Sequence, residues 1–160
     1  IIFKQIQYIR DAVRIAREGY KAVEAEKFFK WNCETLYCVE KFLEEASDEE
    51  KREFFSMIRA GNIGISASYL NFTDLVDRDA LDNRTREMLK LFRDEGIDVK
   101  TAMIADINGI SLGAFQVLLE NGIEFLYANI HTHHGMYPLY KNQLPFFWEG
   151  RDGKKLLVFS

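Results

Sequence analysis

The sequence predicts an α/β fold in which parallel strands alternate with helices, and three observations predict it. Apolar residues recur at three- and four-residue spacings in several stretches, as on the buried stripe of a helix. Short β-type runs lie between those stretches. Three helical stretches end in glycine just before such a run, at Gly61, Gly96 and Gly122, where glycine closes a helix. Helix and strand in alternation, with short turns, argue for a parallel sheet wrapped by helices through right-handed crossovers.

Phe3 to Glu26 reads as the first helix, because Ile6, Ile9, Val13, Ala16, Tyr20 and Val23 fall on one face. Phe28 to Asn32 reads as a short strand and Thr35 to Ala46 as the next helix. Ser47-Asp48-Glu49-Glu50 has the spacing of a capping box and opens a helix to about Arg59. Ile63 to Ser66 follows as a strand. Asp79 to Glu95 is helical, with Leu81, Met88, Leu89 and Phe92 on its apolar side, and Val99 to Ala105 is the next strand. Ser111 caps a helix to Asn121. Ile123 to Ala128 and Lys155 to Phe159 complete the strands.

Composition narrows the function. The chain has 160 residues, with 21 basic and 25 acidic side chains and a formal net charge of −4. That balance gives no electrostatic reason to expect nucleic acid or an anionic membrane surface as partner. No apolar run approaches the ~20 residues of a membrane span. No charged-then-apolar leader stands at the start. Cys33 and Cys38 do not make a disulfide framework. The length allows one core but not a whole (β/α) barrel of ~250 residues. The chain opens in a helix and ends on a strand. The expectation is that 1–160 is a piece of one (β/α) barrel domain, with its first strand and C-terminal part missing.

In parallel α/β folds the ligand site lies beyond the carboxyl ends of the strands. That rule selects Asn32-Cys33-Glu34, then Tyr69 to Asp74, then Asp106 to Gly109, then Asn129 to His134. Carboxylates and imidazoles converging on one rim suit a metal or a catalytic carboxylate pair. Each has a plainer reading beside it. Asp74 is a nucleophile, a metal ligand or a helix N-cap. Asp106 is a site residue or the head of an Asx-turn. His131 and His133 share one side of an extended segment, as zinc ligands or as solvated side chains. Trp31, Trp148, Phe146 and Phe147 form a sugar platform or pack in the core. The cysteines pack as small apolar residues.

Tyr69-Leu70-Asn71-Phe72-Thr73-Asp74, following Gly61-Asn62-Ile63, resembles the nucleophile loop of glycoside hydrolase family 38, the α-mannosidases. Asp106-Ile107-Asn108-Gly109-Ile110-Ser111 with Glu120-Asn121-Gly122-Ile123 is similar to that family's next block. Phe147-Trp148-Glu149-Gly150-Arg151-Asp152-Gly153 resembles its turn before another strand, and Phe29-Lys30-Trp31-Asn32-Cys33-Glu34 fits a strand-end block. The resemblance implies a seven-stranded (β/α) barrel and retaining, zinc-dependent hydrolysis of α-mannosides or related glycans. It implies Asp74 as both nucleophile and zinc ligand. Trp31, Glu34, Tyr69, Asn71, Asp106, Asn129 and His131 are then the candidate substrate contacts. The family's other zinc ligands and its general acid would fall outside 1–160, and Leu75 stands where the family often has an acidic residue. Such a piece would be inactive alone.

Two other readings compete. One is a metal-dependent carbohydrate deacetylase of similar barrel type, against which stands the lack of a His-x-x-x-His pair. The other is a non-catalytic barrel that binds carbohydrate. The expected partner is a carbohydrate, with the oligomeric state open. Low cysteine content leans towards the cytoplasm.

Overall fold

The computed structural model describes residues 2–20, 29–71, 75–107, 109–129 and 144–159, the side chain of Tyr20 excepted. The elements run α1 (Ile2–Tyr20), β1 (Trp31–Cys33), α2 (Leu36–Glu45), α3 (Asp48–Arg59), β2 (Ile63–Ile65), α4 (Arg78–Asp94), β3 (Thr101–Ala105), α5 (Leu112–Glu120), β4 (Phe125–Asn129), β5 (Phe146–Glu149) and β6 (Lys155–Phe159). The alternation expected from the sequence is therefore present.

β1 pairs with β2 in parallel, and β3, β4 and β6 form a second parallel ladder with β5 antiparallel at its edge. The two ladders meet at β2 and β3. The Ala67 amide donates to the Thr101 carbonyl at 2.9 Å, and the Met103 amide donates to Ser66 Oγ at 2.9 Å. β5 departs from expectation. Phe147 to Gly153 was expected as a turn, yet Phe146–Glu149 is strand and the turn is confined to the residues after it. Trp148 explains the difference. Its ring stacks on Phe115 of α5 with centroids 4.1 Å apart, which holds this stretch against the body as an edge strand.

Burial alternates along the strands. Ala102, Ile104, Leu126, Ala128, Leu156 and Val158 are buried under the helices. Thr101, Phe125, Tyr127, Asn129 and Phe159 on the opposite face are exposed. The helical layer is tied together by aromatic contacts from Phe42 to Phe54, on to Phe55 and then to Phe92, with centroids 5.1, 5.6 and 6.0 Å apart. Gly61, Gly96 and Gly122 all have positive φ, as the left-handed stop after a helix requires. The Ser47 capping box is complete: Ser47 Oγ accepts from the Glu50 amide, and the Glu50 carboxylate accepts from the Ser47 amide at 2.8 Å. No helix among the described residues is long and apolar enough to cross a membrane.

Phe54→Ala should cost about 3–5 kcal/mol in urea unfolding, because the ring is wholly buried between two others. Ser47→Ala should cost about 1 kcal/mol. The Ser47 amide first, and Arg10 second, hold the Glu50 carboxyl below its ordinary value. A group with a lowered folded pKa stabilises above its unfolded pKa, and that stability is lost as pH falls through the folded value. Glu50→Gln should therefore lower the thermal midpoint at pH 7, and circular-dichroism melts should show that deficit closing below about pH 4.

Candidate functional site

The segments after β1 and β2 are bound to each other. Asn71 Nδ2 donates to Glu34 Oε1 at 2.7 Å. The Leu36 and Tyr37 amides donate to the Ser68 and Tyr69 carbonyls at 2.8 and 3.1 Å. Those amides belong to the first turn of α2 and have no partner within the helix. The β2 segment supplies the missing acceptors and is thereby fixed at the carboxyl end of β1.

Tyr69 is held from the other side. Its hydroxyl donates to Glu40 Oε2 at 2.6 Å, and Arg84 Nε donates to the same hydroxyl at 3.4 Å. Arg84 also pairs with Glu40, joining α4 to α2. Burial first, and the Glu40 carboxylate second, push the Tyr69 phenol above its ordinary pKa. The hydroxyl accordingly stays protonated and donating near neutral pH.

The next two strand ends adjoin. Ala105 of β3 pairs with Asn129 of β4, and the Asp106 amide donates to the Asn129 carbonyl at 3.0 Å. Asp106 has φ +62°, which makes it the one residue other than glycine at positive φ among those described. Aspartate tolerates that left-handed conformation better than most side chains. The chain bends there, just past the end of β3.

A groove of about 550 Å³ runs beside β1, bordered by Tyr8 of α1, Trp31, Asn32, Glu34, Tyr37 and Asn71. The structure thus gathers Trp31, Glu34 and Asn71 at one groove, and Asp106 with Asn129 at neighbouring strand ends. Trp31 also packs partly into the core, which is the plainer of its two expected roles. Tyr69 is tied to Glu40 and Arg84, which sequence reasoning missed. Periodicity marks those two only as polar helix positions, and nothing in the sequence pairs them. Asp74 and His131 lie outside the described residues, as do His133 and His134.

The described residues do not by themselves fit a zinc ion. No three ligating side chains come together among them. Cys33 is buried, and burial first, then Cys38, pushes its thiol pKa up, which keeps it protonated and a poor ligand.

The fold and rim define a mixed α/β domain of parallel strands with helices on one face and polar side chains at the strands' carboxyl ends. Two solved structures share that fold. One is an α-mannosidase from Enterococcus faecalis V583, with TM-score 0.72 and 16% identity, matched over 99% of this chain and 17% of that one. The other is a 4-α-glucanotransferase from Thermococcus litoralis, with TM-score 0.68 and 18% identity, over 99% of this chain and 24% of that one. The chain therefore spans about a quarter or less of the proteins it resembles, and at these identities the likeness is one of fold. No protein-family model and no curated protein matches the sequence.

Glu40→Ala removes the acceptor shared by Tyr69 and Arg84. It should cost about 1–3 kcal/mol in urea unfolding. Iodoacetamide at pH 8, read by mass spectrometry, should label Cys38 in the folded protein, whereas Cys33 should react only after unfolding.

Proposed function

We propose that the chain forms part of a carbohydrate-active domain that cleaves glycosidic bonds, with α-mannosides or related glycans as substrate. The observation that carries this reading is the set Glu34, Asn71, Asp106 and Asn129 at the carboxyl ends of adjacent parallel strands. The fold shared with a mannosidase and a glucanotransferase supports it.

The resemblance at Tyr69 to Asp74 supports a retaining mechanism. Asp74 would attack the anomeric carbon and form a glycosyl ester, while a separate acid protonates the departing oxygen. That same group, now a base, would then take a proton from the water that cleaves the ester. Tyr69 and Asn71 would hold the segment leading to Asp74 through their bonds to Glu40 and Glu34. Trp31 would offer an apolar face to a sugar ring. We also propose zinc dependence, on the strength of Asp74 and the family resemblance. The described residues do not by themselves make a zinc set.

A second reading is a carbohydrate-binding domain without turnover. Leu75, where the family often has an acid, is fully exposed and favours it.

The test is hydrolysis of an aryl α-mannoside by the complete natural protein. Turnover should fall by at least ~10³-fold in Asp74→Asn, since a carboxamide is a poor nucleophile. Dipicolinate should abolish turnover and added zinc restore it. Binding without turnover in the parent would select the second reading. Full turnover in Asp74→Asn would overturn the mechanism.

A further inference from the structure

Asn32 and Gly64 are paired across the parallel strands β1 and β2. Paired positions in a parallel ladder project from the same face, so the Asn32 side chain stands beside a residue that has none. The fit is close. A Cβ on residue 64 would lie 1.9 Å from Asn32 Oδ1 and 3.1 Å from its Cγ. Gly64 is not among the glycines with positive φ. Its role is therefore space and not backbone conformation, the close-approach use of a strand glycine.

The carboxamide held there is exposed and makes no hydrogen bond among the described residues. It borders two grooves at once, the one of about 550 Å³ beside α1 and another of about 650 Å³ that reaches Ile97 to Thr101 at the amino end of β3. Glu34 follows two residues later, at the end of the same strand, with Asn71 bonded to it at 2.7 Å. A carboxamide offers two donors and an acceptor on a rigid plane. That pattern matches a pair of neighbouring hydroxyl groups, each of which donates and accepts. It carries no charge to attract phosphate, sulfate or a cation.

We propose that Asn32 is a specificity-determining contact for sugar hydroxyls, and that Gly64 is its seat. The proposal rests on the carbohydrate reading above and adds to it the residue that reads the hydroxyl pattern. Any larger residue at 64 would push the carboxamide off the β2 backbone. The displaced atoms are the free end of a flexible side chain, so the fold would survive while the contact is lost.

The experiment uses the complete natural protein with an aryl α-mannoside and its monodeoxy analogues. In the parent, one deoxy analogue should lose about three- to tenfold in kcat/KM relative to the full sugar, the loss of one hydrogen bond. Asn32→Ala should lose a similar factor on the full sugar and show no further loss on that analogue. Gly64→Ala should match Asn32→Ala, and the double variant should be no worse than either, with thermal midpoints near the parent's throughout. The proposal is overturned if Asn32→Ala keeps the parent's kcat/KM and its deoxy penalties. It is equally overturned if Gly64→Ala behaves as the parent, or if the double variant loses the product of the two single factors. A parent that neither binds nor turns over any glycoside would sink the carbohydrate reading itself, a different result from an active parent indifferent to Asn32.

Discussion

The structure depends on burying one face of a parallel sheet. Parallel neighbours cannot be joined by a tight hairpin, so the chain returns through helices between β1 and β2, β2 and β3, and β3 and β4. The period of two then does the rest. Ala102, Ile104, Leu126, Ala128, Leu156 and Val158 go under the helices. Asn32, Thr101, Tyr127 and Asn129 are exposed at the alternate positions. A one-residue slip in any strand would exchange the two sets. The polar rim and the core are consequently one constraint seen from two sides.

That constraint places strand ends side by side but does not shape the segments beyond them. Their shape comes from unsatisfied backbone groups. The first-turn amides of α2 need acceptors, and the Ser68 and Tyr69 carbonyls supply them. The bond from Asn71 to Glu34 and the contacts of Tyr69 with Glu40 and Arg84 then fix the same segment through side chains. Backbone and side chains thus tie three elements to one short stretch. It is the stretch that leads towards Asp74.

The elements were legible in the sequence because their signals are local. Ser47 and Glu50 announce a capping box at four-residue range, and Gly61, Gly96 and Gly122 stop helices at the next residue. The strand at Phe146–Glu149 was not legible, since what makes it a strand is Trp148 stacking on Phe115 of a distant helix. The candidate site divides in the same way. Glu34, Asn71, Asp106 and Asn129 follow from the rule about strand ends. Glu40 and Arg84 do not, because 44 positions separate them and no periodicity links one to the other. Gly64 did carry a signal, as a glycine inside a strand, but its partner Asn32 is defined only by register.

Hydrogen-bond capacity separates the carboxylates near the rim by what each can still do. Glu40 accepts from Tyr69 and pairs with Arg84, and its side chain is only 13% exposed. Its oxygens are engaged by groups that hold helices together, which suits positioning and not proton transfer. Among the described residues Glu34 accepts one neutral donor, from Asn71. A carboxylate has about four lone-pair directions, and among the described residues Asn71 takes one of Glu34's. It also borders the groove that Trp31 and Asn32 border. An aromatic face, a carboxamide and a carboxylate within one groove form a combination suited to a neutral ligand with both apolar and hydroxyl-bearing faces, which describes a sugar ring.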